Sequence, residues 1–384
     1  MKILTLFFCA SMLHAGIIEL LGPGSRQAAR NQQLDRPDGT GQFLELVLTP
    51  VAGSSALSRV ELWTSKREAG KYTRIRLQDK ELPIPQPQAI ARDLYDFPFA
   101  NFATPNAALA ENRVAILCGG NEFTIRLLNT TSLTVGRAIS IPSQARAIAI
   151  RPGNGEIWVA HSGSSSLISV SDPGTERLTT TFPLRTNSLS LPVALFFSPS
   201  GRTAYAVVRN PDSLTDRGSV FVIDTASRQV RGPFSLGTTS PQSAVPSPDG
   251  STIYVAGTSL NTFNTPEPSM TYYDTQTNSS SLIALGLSVA AEQLIIHPNG
   301  TRIYWAVPGI FGLEEFDVQA RRVLRRINLP RLIQPQSLDL TPNGDLLILR
   351  DALGAFATHL DVDSGEILDT QPIAGGLSVT LFRP

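Results

Sequence analysis

The 384-residue chain carries 32 Lys plus Arg residues and 32 Asp plus Glu residues, so its formal net charge is zero. A neutral chain has no overall field that favours binding to nucleic acid or to an anionic membrane surface. Hydrophobic residues make up 42% and charged residues 17% of the chain, a balance typical of a folded protein rather than a disordered one.

Residues 1–15 have the composition of a secretory signal peptide. Lys2 precedes an apolar stretch from Ile3 to Met12, and Ala15 is a small residue suited to cleavage. We therefore expect an exported protein, periplasmic or extracellular. The stretch is shorter than the roughly 18 to 20 apolar residues of a membrane helix, and no integral membrane segment is predicted. Cleavage leaves Cys118 as the single cysteine, so no intrachain disulfide is predicted.

Residues 16–40 include "GPGSRQAARNQQLDRPDGTG" and are predicted to be an irregular lead-in. Residues 41–384 are predicted to form one domain. Three strand-like runs open it, "FLELVLT", "RVELWTS" and "YTRIRL", between Phe43 and Leu77.

A proline-containing phrase then recurs along the chain. Its copies are "IAIRPGNGEIWVAHSG", "LFFSPSGRTAYAVVRN", "AVPSPDGSTIYVAG", "IIHPNGTRIYWAV" and "LDLTPNGDLLILRD", with "FATPNAALAENRVAILCGG" as a degraded sixth. Their prolines are about 44 to 50 residues apart, close to the period of propeller blades. Six units are predicted, from about Phe99 to Gly376.

Each copy has the pattern of four antiparallel strands. An apolar run enters a Pro-(Asp/Asn/Ser)-Gly turn, and a second run rich in Ile, Tyr, Trp and Val follows. The third run ends at Asp224, Asp274, Asp317 or Asp361, whose carboxylates can accept hydrogen bonds from backbone amides two residues on. A fourth run completes the blade of a β-propeller.

The last run, "LSVTLF", has no partner within the six units. Unpaired strand edges are a liability, and the three N-terminal strands also lack a partner. Pairing Leu377–Phe382 with the strands of Phe43–Leu77 completes a seventh blade. The predicted fold is therefore an all-β, seven-bladed β-propeller of four-stranded antiparallel blades, closed by N- and C-terminal strands that share one blade.

The phrases "SPDGSTIYVAG" and "VIDTAS" resemble the YVTN-type repeats of exported bacterial propellers, the YncE-like and surface-layer-associated group. More distantly, the chain is similar to lactonase-type seven-bladed propellers. The first resemblance implies an exported scaffold, and the second implies hydrolysis of a sugar lactone.

Two consecutive copies carry insertions, at 209–218 and 258–270, between their second and third strands. Long loops on a rigid scaffold commonly carry function, although surface loops also absorb insertions cheaply. We expect both insertions on one face of the disc. Candidate binding residues in them are Arg209, Asp212, Asp216, Asn261 and Asn264.

Other polar residues are predicted to ring the mouth of the central channel on that face. They are Arg146, His161, Gln242, Glu292, Gln336, Arg350 and Asp351. The leading hypothesis is a monomeric, non-catalytic scaffold that binds a protein, glycan or small ligand there, with no nucleic-acid partner. The alternative is a lactone hydrolase with His161 or Glu292 as base and Arg350 stabilising negative charge. Neither hypothesis includes a metal or a cofactor.

Overall fold

The computed structural model describes most of the chain between residues 42 and 381. The described residues are 42–68, 71–91, 113–119, 123–142, 145–162, 166–184, 186, 190–261, 263, 265–285, 292–307, 312–330, 335–341, 344–351, 356–372 and 377–381. The predicted signal peptide and lead-in lie outside them. Every regular element of the described residues is a β-strand, and no described helix is long and apolar enough to cross a membrane.

The strands form seven antiparallel sheets. The first contains β1 (Gln42–Pro50), β2 (Ser58–Glu68), β3 (Lys71–Leu82) and the C-terminal β29 (Leu377–Leu381). The second contains β4 (Pro87–Ala91), β5 (Arg113–Cys118), β6 (Thr124–Asn129), β7 (Thr134–Val135) and β8 (Ile139–Ser140). The third contains β9 (Ala145–Ile150), β10 (Ile157–His161), β11 (Leu167–Asp172) and β12 (Arg177–Pro183).

The remaining four sheets follow the same order along the chain. The fourth contains β13 (Leu191–Phe197), β14 (Thr203–Arg209), β15 (Gly218–Asp224) and β16 (Val230–Ser235). The fifth contains β17 (Ser240–Pro246), β18 (Thr252–Leu260), β19 (Pro266–Asp274) and β20 (Ser279–Ala284). The sixth contains β21 (Glu292–Ile296), β22 (Arg302–Ala306), β23 (Gly312–Asp317) and β24 (Arg322–Asn328). The seventh contains β25 (Pro335–Leu340), β26 (Leu346–Asp351), β27 (Phe356–Asp361) and β28 (Ile367–Pro372).

The C-terminal strand closes the ring. It pairs antiparallel with β1, from Leu377 opposite Leu48 to Leu381 opposite Leu44. The innermost strands are β29, β4, β9, β13, β17, β21 and β25, and each contacts the next, with β25 returning to β29. The predicted seven-bladed propeller, closed within a blade shared by both ends of the chain, is confirmed.

The second blade begins earlier than predicted. We expected its first strand near Phe99, but that strand is β4, which places Ile90 opposite Ile116 of β5. The copies of the repeat were aligned on their turn prolines, and this placed the first strand of the second blade too late. The start of β4 is marked instead by a Pro-Gln pair, which also occurs in β17 and β25. The outermost position of this blade is divided between β7 and β8, which both pair with β6.

The apolar core lies between neighbouring blades. Trp158 is fully buried, and its ring meets those of Phe182 and Phe197 edge-on, with centroids 5.6 and 5.3 Å away. Phe197 belongs to the following blade. Trp305 is also fully buried, so both tryptophans pack in the core.

The turn glycines contact the preceding blade. Gly201 and Gly250 have φ angles of +68° and +73°. A Cβ atom on Gly201 would lie 2.5 Å from the carbonyl oxygen of Pro152, and one on Gly250 would lie 2.6 Å from Cδ of Pro199. The glycine of the Pro-x-Gly phrase is therefore needed both for the tight turn and for close packing against the preceding blade.

We expect Gly250→Ala to destabilise the protein more than Gly237→Ala. Both glycines have positive φ, and an alanine there is strained by about 1 kcal/mol or more. A Cβ on Gly237 meets nothing within 4 Å, whereas one on Gly250 meets Pro199. Urea denaturation measures the two free energies of unfolding, and equal losses would contradict packing between the turns.

The turns between third and fourth strands are closed by aspartates, as predicted. Asp224 Oδ1 accepts hydrogen bonds from the Ala226 and Ser227 amides at 3.1 and 2.7 Å. Asp274 Oδ1 accepts them from Gln276 and Thr277 at 2.9 and 2.7 Å. These bonds, those from Ser227 and Thr277 above all, lower the pKa of each carboxyl group.

The lowered pKa values predict acid sensitivity. A carboxyl group with a depressed pKa in the folded state stabilises the fold fully above the unfolded pKa of about 4, and this contribution is lost as pH falls through the folded value. Asn129 closes the equivalent turn through Oδ1 without titrating. We expect the double variant Asp224→Asn/Asp274→Asn to lose less unfolding free energy between pH 5 and pH 3 than the parent, measured by denaturation at each pH. Identical pH slopes would contradict this.

Candidate functional site

Two neighbouring blades carry the long connections predicted from the sequence. Residues 210–217 join β14 to β15, and residues 261–265 join β18 to β19. The second insertion mainly lengthens its hairpin, because β18 and β19 have nine residues each and pair as far as Leu260 opposite Pro266. We call the end of the propeller that bears both connections the loop face.

Hydrogen bonds fix the first connection and tie it to the neighbouring hairpin. Arg217 Nη1 donates to the Thr258 carbonyl oxygen at 3.3 Å, which ties the first connection to the neighbouring hairpin. Inside the first connection, the Asn210 side-chain nitrogen donates to the Asp216 carbonyl oxygen and to Ser219 Oγ, at 3.2 and 3.0 Å. The Asp216 carboxylate accepts a 2.7 Å bond from the Ser235 hydroxyl. The connection is therefore braced from within and from both sides.

Each connection presents an apolar side chain to solvent. Leu214 is 72% exposed and Phe263 is 86% exposed. Asn261 Oδ1 accepts hydrogen bonds from the Phe263 and Thr265 amides at 2.9 and 3.0 Å, so the candidate Asn261 shapes the turn beneath Phe263. Asp212 is exposed, and Asn264 lies outside the described residues.

His161 lies inside its blade. Its side chain is buried, and Nε2 lies 2.7 Å from the Ser169 hydroxyl of the neighbouring strand β11. Cys118, at the equivalent position one blade earlier, is buried too, and burial raises the pKa of its thiol to about 12. The side chains of His161 and Cys118 therefore pack inside their blades, and neither faces solvent as a catalytic base or thiolate would.

Arg350 and Asp351 are also buried. The Arg350 guanidinium bonds to the Asp339 carboxylate of β25, and its Nη2 lies 3.4 Å from Oε1 of Glu45 in β1. The structure thus places Arg350 in an ion-paired cluster between the last blade and the first, where water has no access to it.

Sequence reasoning missed three members of this cluster, Asp339, Arg74 and Glu45. Glu45 lies within the apolar run "FLELVL" of β1, and a single acid in such a run is the available signal. Arg74 Nε donates to its second oxygen at 2.6 Å. Burial raises the pKa of Glu45, but Arg350 and Arg74 lower it more, and the result is a lowered pKa. The cluster joins the two ends of the ring electrostatically.

The remaining residues predicted at the channel mouth, Arg146, Gln242, Glu292 and Gln336, lie in or beside β-bulges that recur in the innermost strands. In six of these strands the pairing register shifts near the end next to the loop face, which leaves one or two residues in a β-bulge. The bulge residues are Gln88, Arg146, Val193, Gln242, Gln293 (with Leu294) and Gln336, and we call them the bulge ring.

Two members of the bulge ring are open to solvent. Arg146 and Gln242 are exposed, although every other residue of β9, β13 and β17 is buried or half-buried. Arg146 Nε donates to Ser162 Oγ at 3.1 Å. For Gln336 and Glu292 the structure describes the backbone alone. Glu292 pairs with Ala306 beside the bulge at Gln293.

Arg209 lies at the end of β14, opposite Leu191. Its side chain is half-buried, and its Nε has no hydrogen-bond partner among the described residues. Within the part of the chain that the structure describes, no three His, Cys, Asp or Glu side chains are grouped to hold a metal ion.

No family model and no curated protein matches this chain. Among solved structures, it is similar to hydrazine synthase of Kuenenia stuttgartiensis, with a TM-score of 0.62 and 18% identity over 85% of this chain and 98% of that one. A protein from Lactobacillus plantarum has a TM-score of 0.62 and 16% identity over 88% and 99% of the two chains. The periplasmic gluconolactonase of Pseudomonas aeruginosa has a TM-score of 0.63 and 13% identity over 89% and 100%. At these identities the likeness shows the fold, a seven-bladed β-propeller whose structural relatives include a lactonase.

Proposed function

We propose that the protein is an exported, non-catalytic propeller of the YVTN-repeat type that binds a protein partner on its loop face. The observation that carries the proposal is the pair of exposed apolar side chains, Leu214 and Phe263, on the connections of two neighbouring blades. A hydrogen bond ties the first of these connections to strand β18 of the next blade. Exposed large apolar groups that are grouped on one surface favour a protein partner over a glycan.

The rigidity of the connections supports the same proposal. A side chain whose backbone is already fixed loses little conformational entropy on binding. The Asn261 turn fixes the backbone of Phe263, and the Asn210 and Asp216 bonds fix that of the first connection. An aromatic residue on a fixed turn is typical of the anchors that dominate protein interfaces.

Site-specific photo-crosslinking tests the proposal. The photoreactive residue p-benzoylphenylalanine replaces Phe263 in the cells that produce the protein, and it replaces Leu282, which is 47% exposed on the outer strand of the same blade, as a matched control. We expect one discrete protein adduct from position 263, reduced by the added substitution Leu214→Ser, and none from position 282. No adduct, or the same adduct from both positions, would contradict a partner at the loop face.

The lactone-hydrolase alternative is supported by the shared fold with the gluconolactonase and not by the geometry of its proposed residues. His161 and Arg350 are buried and engaged within the protein. We therefore expect the purified protein to hydrolyse D-glucono-1,5-lactone no faster than buffer does. Turnover by the purified protein would overturn the non-catalytic proposal.

A further inference from the structure

We infer that the interface between the seventh and first blades, which we call the seam, is an acid-sensitive closure at which the ring opens while its seven sheets stay folded. The inference is independent of the connections on the loop face. It rests on the chemistry of the seam, on the strands that meet there, and on the effect of acid on buried carboxylates.

The seam differs from the other interfaces between blades. The buried apolar side chains of the described residues group into six clusters, and each cluster lies between two consecutive blades from the first to the seventh. Leu46 of β1 and Ile116 of β5 share one such cluster, and Tyr304 of β22 and Leu349 of β26 share another. Among the residues that the structure describes, no apolar cluster joins the seventh blade to the first.

Charged side chains occupy the seam instead. On the seventh blade, Asp339, Ile348 and His359 are cross-strand partners, so they lie on one face of the sheet. Arg350 lies on the same face and crosses the seam, since its Nη2 lies 3.4 Å from Oε1 of Glu45. The charged and titratable groups on the facing strands are buried, or for Arg74 almost buried: Glu45 of β1, Glu61 of β2, Arg74 of β3, Asp339 of β25, Arg350 of β26, His359 of β27 and Asp369 of β28.

Opening the seam breaks no strand pairing. The strands β29 and β1 to β3 form the first blade and β25 to β28 form the seventh, so every backbone ladder lies within one blade. The two blades meet where β25 contacts β29 and β28 contacts β3. A gap at any other interface would expose an apolar cluster to water, at a cost of about 25 cal/mol per Å² of apolar surface. The seam is therefore the interface whose closure depends least on hydrophobic burial.

Acid weakens the seam and spares the apolar interfaces. Burial raises the pKa of Glu45, but the charges of Arg350 and Arg74 outweigh it, and the pKa is lowered. Such a carboxyl group stabilises the fold fully above the unfolded pKa of about 4, and its contribution is lost as pH falls through the folded value. Once Glu45 and Asp339 are protonated, Arg350 is a buried cation without its counter-charges, and hydration in an open seam is then favoured. The apolar clusters contain no carboxyl group, so acid leaves them intact.

Two neighbouring residues of β26 report on opposite interfaces. Ile348 is fully buried on the seam face, and Leu349 is buried in the cluster shared with the sixth blade. Each is replaced by cysteine in a full chain that carries Cys9→Ala and Cys118→Ala. The thiols are labelled with a dipyridyl disulfide, which reacts in acid as well as at neutral pH. As pH falls from neutral, we expect labelling of Ile348→Cys to rise at least about tenfold more than that of Leu349→Cys, before circular dichroism shows loss of the sheets.

A second substitution ties the response to the seam carboxylates. Glu45→Gln, added to Ile348→Cys, should raise labelling at neutral pH and reduce the further rise in acid, because the seam then has one titrating carboxylate fewer. Glu314→Gln is the matched control, since Glu314 is equally buried but pairs with Arg326 within the sixth blade, and it should leave the labelling unchanged. Equal labelling of Ile348→Cys and Leu349→Cys at every pH, or an acid response that Glu45→Gln does not alter, would overturn the inference.

Discussion

A chain that ends at Gly376 is expected to lose its cooperative unfolding transition. This truncation removes β29, the innermost strand of the first blade, whose Leu377–Leu381 backbone pairs with β1. The inner edge of β1 then has no partner, and the ring loses its contacts from β29 to β25 and β4. Exposed edge strands also invite aggregation, so we expect the truncated chain to aggregate as well as to unfold.

Thermal melting followed by circular dichroism and limited proteolysis measure this effect. A chain that ends at Leu381 is the matched control, because it keeps every β29 residue that pairs with β1, and we expect it to melt like the full chain. If the chain ending at Gly376 kept its melting temperature and protease resistance, closure of the ring by β29 would be disproved.

Arg350→Met is expected to lower the free energy of unfolding by about 3–5 kcal/mol. The methionine fills much of the volume but removes the cation shared by Glu45 and Asp339, both of which are buried. Asp339 then loses this counter-charge and Glu45 keeps only Arg74, and breaking a buried ion pair costs far more than losing an exposed one.

Arg59→Met is the matched control, since Arg59 pairs with Asp79 while almost half of its side chain stays exposed. We expect a much smaller loss, measured for both variants by urea denaturation. The double variant Arg350→Met/Asp339→Asn should recover part of the stability, because it removes the carboxylate charge that Arg350 balanced while Glu45 stays paired with Arg74. Equal losses for Arg350→Met and Arg59→Met would show that the cluster between the first and last blades is not a stabilising element.

The candidate site was only partly predictable. The alignment located Arg146, Gln242 and Gln336 at the start of the innermost strands, but no sequence period reveals a bulge, because a bulge is a shift in register between two strands. Gln88 was missed for the same reason, and Gln293 was passed over for its neighbour Glu292. The prediction for His161 and Arg350 assumed that a polar side chain at a strand end faces solvent.

By itself, the sequence determined the seven blades, their four-stranded pattern and their closure, because five blades repeat one local phrase and the strand-like runs at the two ends of the chain lack any other partner. Only the tertiary structure decided that Arg350 meets Glu45, a residue 305 positions away in the chain, and that six bulges lie around one opening. The physical reason is that a side chain's neighbours across blades depend on how whole sheets pack around the axis. The pattern of apolar and polar residues within one strand does not predict how the sheets pack against each other.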